Sequence, residues 1–122
     1  ATIAFTLELI ADAAAIADEL QMMLFNARIR AIARGSIETV DFDLHQGLVS
    51  DSQGRRTIKL EADLQPKLLV GRELATAGDS AKVLFFADGG STGVKILLGV
   101  DRHGKASVIV PWLTGIPVVV RE

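Results

Sequence analysis

The chain has 122 residues, 49% of them apolar and 23% charged, with a formal net charge of −2 and no cysteine. That length suits one domain with one core, and those shares match ordinary globular proteins, which excludes a disordered or fibrous chain. Without an excess of Lys and Arg there is no general attraction to nucleic acid or anionic lipid; without Cys, neither a disulfide framework nor a thiolate metal site can form.

Residues 5–34 contain neither Pro nor Gly and are rich in Ala, Leu, Met, Glu and Arg, so one long helix is expected. Leu9, Ala13, Ile16, Leu20, Leu24, Ala27 and Ala31 recur every three or four residues and mark its buried face, with Glu8, Asp12, Glu19, Asn26, Arg30 and Arg34 opposite. Met22, Phe25, Ile29 and Ile32 form a second apolar line, expected to widen the buried arc over the later turns. Acids in the first half and Arg28, Arg30 and Arg34 at the end suit the helix dipole. Gly35 can take the left-handed conformation that closes a helix. Glu8, Asp12, Asp18 and Glu19 interrupt the opening apolar run, so it does not read as a membrane span.

After Gly35 the apolar period drops to two: Val40, Phe42 and Leu44 alternate with Asp41 and Asp43. Strands are expected over 37–44, 48–50, 55–61, 82–87, 94–100, 106–110 and 117–121. Residues 51–55 and 101–105 both place Asp at the start and Gly near the end of a short connection, and both read as hairpin turns. The stretch 62–80, with one Pro and two Gly and no sustained period, reads as loop.

Three groupings could carry chemistry. Gly89-Gly90-Ser91-Thr92-Gly93 fits the G-x-S-x-G pattern of a hydrolase nucleophile elbow, and Asp101 and His103 follow it. The elbow needs a strand followed by a helix, whereas residues 94–98 continue as a strand, and the acid and histidine share one short turn; a structural turn is expected instead. Asp41, Asp43, Glu61 and Asp63 could offer oxygen ligands to Ca²⁺ if their strands were neighbours, but no loop has Ca²⁺-binding spacing and a solvated face is expected. His45 and His103 lack companion ligands for zinc. No catalytic residue, metal or cofactor is assigned.

The helix ending Ala27-Arg28-Ile29-Arg30-Ala31-Ile32-Ala33-Arg34-Gly35, the run Phe85-Phe86-Ala87-Asp88-Gly89-Gly90-Ser91-Thr92-Gly93 and the turn Trp112-Leu113-Thr114-Gly115, in that order, resemble the pseudopilin H (GspH/FimT-like) family. The resemblance covers most of the chain. Ala87 stands where the family usually has Pro, Val94 where a second Gly is common, and Ile116-Pro117 where Gly-Arg often opens a basic last strand. It implies an α+β, pilin-like fold, with a long N-terminal helix packed on antiparallel sheets and a β-sandwich-like C-terminal part, in a single domain spanning 1–122. It further implies a non-enzymatic minor pseudopilin at or near the tip of a type II secretion fibre, on the periplasmic side of the inner membrane. Its partners would be other pseudopilins, through helix packing, and secreted cargo or the outer-membrane secretin; nucleic acid is not expected. Because Arg121 stands nearly alone in the last strand, the secretion branch is preferred over a FimT-like type IV minor pilin engaged in pilus assembly or DNA uptake. Phe5-Thr6-Leu7-Glu8 echoes the family's start, yet the acids that follow do not suit its apolar anchor, which is expected to have been removed from this chain.

Length supplies one more expectation. A helix of about 30 residues is about 45 Å long, while a four-stranded sheet of short strands spans about 15–20 Å, so roughly half the helix should overhang. Phe5, Leu9, Ile10, Ala13 and Ile16 are then expected to be the exposed partner-binding surface. Leu20, Leu24, Phe25, Ala27 and Ala31 are expected to supply the helix's share of the core.

Overall fold

In a computed structural model of the chain, the residues described are 13–53, 56–71, 75–76, 78–99 and 105–121. The described helix, α1, spans Ala13–Arg34. Gly35 closes it at φ 63°, and Ser36 N donates to Ala31 O at 3.2 Å, returning the chain sharply into the first strand.

Among the described residues nine strands follow: β1 (Glu38–Asp43), β2 (Leu48–Asp51), β3 (Thr57–Lys59), β4 (Lys67–Val70), β5 (Ala75–Thr76), β6 (Ser80–Phe85), β7 (Val94–Leu98), β8 (Ala106–Val110) and β9 (Val118–Arg121). They form two antiparallel sheets, ordered β3-β2-β1-β6 and β5-β4-β7-β8-β9. Each expected strand overlaps one of these, with β2 running one residue further and β6 starting two residues earlier than expected. The exception to the sequence reading is 62–80, expected as loop, which holds a 3-10 turn at Ala62–Leu64, then β4 and β5. β4 is too short to show a period, and its pairing with β7 rather than its own pattern makes it a strand.

α1 packs on β1 and β6 of one sheet and on β8 and β9 of the other, so one apolar cluster joins the helix to both. Ala13, Ile16, Ala17, Leu20, Met23, Leu24, Ala27 and Ala31 enter it from the helix, Val40, Phe42, Val83 and Phe85 from the first sheet, and Ile96, Leu98, Val108 and Val110 from the second. A fully buried Leu such as Leu20 or Leu24 stabilises the fold by about 1.5–3 kcal/mol.

The second sheet also explains a departure at the start of the helix. Ala13 and Ile16 were expected to overhang, but they are 0% and 7% exposed. The β domain is two sheets, both packed on α1, rather than one of four strands. β9 reaches back along α1 until Arg121 Nη2 pairs with both carboxylate oxygens of Asp18, at 2.7 and 2.6 Å. The helix turns around Ile16 are thereby covered.

Candidate functional site

Of the five residues expected to bind partners, Phe5, Leu9 and Ile10 lie outside the described residues, and Ala13 and Ile16 belong to the core. The exposed apolar surface of α1 lies elsewhere. Met22, Phe25, Ile29 and Ile32, expected to be buried, are 51%, 40%, 45% and 44% exposed, and Phe25 accordingly stands outside the core it was expected to fill. At about 100° per residue these four fall within an arc of about 80°, roughly 150° around the helix from Leu20, Leu24, Ala27 and Ala31. They make a separate stripe about 15 Å long on the flank away from the sheets.

The chain's last segment walls this stripe on one side. It runs antiparallel along α1: Arg121 pairs with Asp18, Gln21 Nε2 donates to Pro117 O at 3.2 Å, and Arg28 Nε donates to Thr114 O at 3.1 Å. These contacts place Ile116 and Pro117 beside Met22 and Phe25, and a shallow apolar groove opens between them. Trp112, Leu113 and Ile116, all exposed, extend the apolar surface past the groove.

Arg28 also holds the two turns singled out in the sequence. Its Nε–H is shared between Thr114 O and Gly89 O, the latter at 3.0 Å. The turn at 88–93 joins β6 in one sheet to β7 in the other. Asp88 Oδ1 accepts from Gly90 N, Thr92 Oγ1 from Leu84 N, and Ser91 N donates to Trp112 O at 2.9 Å. Sequence reasoning assigned Arg28 to the helix dipole; no local pattern reveals two carbonyls distant in sequence.

Ser91 is not poised as a nucleophile. It is buried, its Oγ accepts from Gly93 N at 3.1 Å, and strand β7 rather than a helix follows. Asp101 and His103 lie outside the described residues. The acids expected on a wet face are half-buried or exposed: Lys82 lies 3.7 Å from Asp41, and Asp43 Oδ1 accepts from Gln46 N. Among the described residues no group of three or more His, Cys, Asp or Glu is placed to hold a metal.

A cluster unseen in the sequence lies at the C-terminal end of the helix. Glu38 and Asp51 are almost buried, and Arg30 bridges them, with Nε 2.8 Å from Glu38 and Nη2 3.7 Å from Asp51. Arg34 adds a longer contact to Glu38 at 3.7 Å, and Ser52 Oγ donates to Glu38 at 3.4 Å. This network locks the end of α1 to β1 and β2, and its geometry is that of a structural fastening.

No protein-family model and no curated protein sequence matches the chain. Solved structures do. The minor pseudopilin EpsH from the type 2 secretion system of Vibrio cholerae is similar at TM-score 0.69, with 14% identity, over 91% of this chain and 98% of that one. The type IV minor pilin FimU of Pseudomonas aeruginosa is similar at TM-score 0.55, with 15% identity, over 88% of this chain and 85% of that one. One helix packed on antiparallel sheets, in the arrangement these two share, is the pilin-like fold; the chain has that fold, consistent with the GspH/FimT-like pilin family that its sequence resembles.

Proposed function

We propose that this chain is a minor pseudopilin, a structural and non-enzymatic subunit at or near the tip of a type II secretion pseudopilus, which aids export of folded proteins from the periplasm. The observation that carries the reading is the stripe of Met22, Phe25, Ile29 and Ile32, four large apolar side chains aligned on the flank of α1 turned away from its own sheets. Side chains spaced three and four apart along one helix flank are what a second helix packs against, and contiguous apolar surface on a monomer marks an interaction site. In a fibre of pilin-like subunits, the neighbour would supply that second helix. Among the described residues no helix is long and apolar enough to cross a membrane; anchoring in the inner membrane would require a segment beyond them.

The type IV pilus reading draws support from the likeness to FimU. Its DNA-binding form is disfavoured by Arg121, the basic residue of the last strand, which is committed to Asp18. Because the chain has no cysteine, engineered ones report contacts cleanly. Cysteines placed singly at Met22, Phe25, Ile29 and Ile32, paired with cysteines along the helices of the other pseudopilins, are expected to form crosslinks in secreting cells. A complete absence of crosslinks from all four stripe positions, in cells that still secrete, would overturn the proposal.

A further inference from the structure

The outer face of the five-stranded sheet points away from α1 and carries a second surface that helix packing does not use. The strand register puts Lys67, Leu97, Ser107 and Val120 in one row across β4, β7, β8 and β9, and Leu69, Lys95, Ile109 and Val118 in the next. Their neighbours Leu68, Ile96 and Val108 are core residues, so by the alternation of a strand both rows lie on the face opposite the core, with Ser107 buried between its neighbours at 9% exposure. Such a face is polar when it only meets water. Here Leu69, Leu97, Ile109, Val118 and Val120 are five of the eight positions. Val118 and Val120 are 46% and 41% exposed, and Leu69, Leu97 and Ile109 are half-buried. Lys95, Leu97, Lys105, Ser107, Ile109 and Val120 line a shallow groove across it.

Charge on this face is one-sided. None of the eight positions is acidic, although the whole chain has 15 acids against 13 Lys and Arg. Among the described residues, Lys67 and Lys95 have no ion-pair partner.

We propose that this face binds an extended segment of another protein in which every second side chain, on the side turned to the sheet, is either apolar or a carboxylate. The apolar side chains lie on Leu97, Ile109, Val118 and Val120, and the carboxylates reach Lys67 and Lys95. Carboxylates are selected because lysines set in an apolar surface attract them and repel cations. Nucleic acid fits poorly: two lysines make no phosphate-tracking stripe, and no aromatic side chain is present in either row to stack on bases. The inference stands whether or not the helix flank assembles a fibre.

The test uses a short labelled peptide of Val-Thr-Glu-Thr repeats, which puts Val and Glu on one side of an extended chain, with a Val-Thr-Lys-Thr counterpart, each titrated with the purified chain. The Glu peptide is expected to bind, more weakly as salt rises, and the Lys peptide not to bind. Lys67→Glu with Lys95→Glu should reverse that preference, each affinity changing by about tenfold or more, with an unchanged denaturation midpoint. Lys95→Gln, which adds no charge of its own, should weaken the Glu peptide alone, and Val120→Thr should weaken it without altering the preference. Absence of binding at millimolar peptide, equal binding of both peptides, indifference to Lys95→Gln, or displacement of the Glu peptide by duplex DNA would each overturn the proposal.

Discussion

The α-carbon of Gly115 stands against the carbonyl oxygen of Gly89, so closely that a Cβ on Gly115 would overlap that oxygen. The two turns of the chain's most recognisable motifs are therefore one packed unit, with Gly90 against the carbonyls of Trp112 and Leu113. Gly115 also has φ 66°, where an L side chain costs about 1–2 kcal/mol. Gly115→Ala adds the overlap to that strain and is expected to destabilise by about 2–4 kcal/mol. Gly35→Ala shares the positive φ but meets open space, and should cost only about 1–2 kcal/mol. Urea denaturation of the two variants checks the difference.

Arg28 is expected to hold that unit to the helix. Its Nε–H meets Gly89 O and Thr114 O together, and a hydrogen bond from a charged group contributes about 1.5–3 kcal/mol when well shielded. Arg28 is half-buried, so Arg28→Met, which keeps the apolar stem, should cost about 1–2 kcal/mol. Hydrogen exchange should quicken at Ser91 and Gly115, whose amides bond within or between the turns, while amides of β1 and β2 stay protected.

The two ends of α1 carry ion pairs of unequal worth. Asp18 and Arg121 form the shorter contact, but their side chains are 50% and 59% exposed, and such pairs contribute about 0–1 kcal/mol. Arg30 sits between Glu38 and Asp51, each only 6% exposed in its side chain. Arg30→Met would leave two nearly buried carboxylates side by side without their main cation, and should cost about 2–4 kcal/mol. Arg121→Ala should lower the melting temperature far less. Equal losses would mean that distance rather than burial decides.

Much of the β domain is legible in the sequence because its signals are local. Val40, Phe42, Asp41 and Asp43 alternate, and the turn residues at 88–93 punctuate the chain. What fails to show is whatever depends on a distant partner: the pairing of Lys67–Val70 with β7, and the carbonyls that Arg28 finds across the fold. The helix misleads for another reason. Periodicity identifies apolar lines without saying which meets the chain's own sheets and which would meet another subunit. Met22, Phe25, Ile29 and Ile32 are as regular as Leu20, Leu24, Ala27 and Ala31, and only the placement of both sheets on one flank separates them.

That separation makes the last prediction, in which Ile16 and Ile29 exchange the roles that helix length alone would give them. Ile16 is 7% exposed, within the cluster that joins the helix to both sheets, whereas Ile29 is 45% exposed on the opposite flank. Ile16→Asp would bury a carboxylate with no cation provided for it, a change that costs several kcal/mol or unfolds the domain. Ile29→Asp places its charge in water and should shift stability by less than about 1 kcal/mol, since a surface change removes no core packing. Leu24→Ala, a cavity at a fully buried site, should cost about 2–5 kcal/mol. Assembly should divide the opposite way: Ile29→Asp and Phe25→Asp would leave a folded subunit that no longer joins its partners, because a charge on the stripe would have to be desolvated against an apolar neighbour. Denaturation of the purified variants, together with secretion and crosslinking in cells, separates the two effects. If Ile29→Asp were to unfold the chain as severely as Ile16→Asp, the stripe would be part of the core and no assembly surface would remain on this flank of the helix.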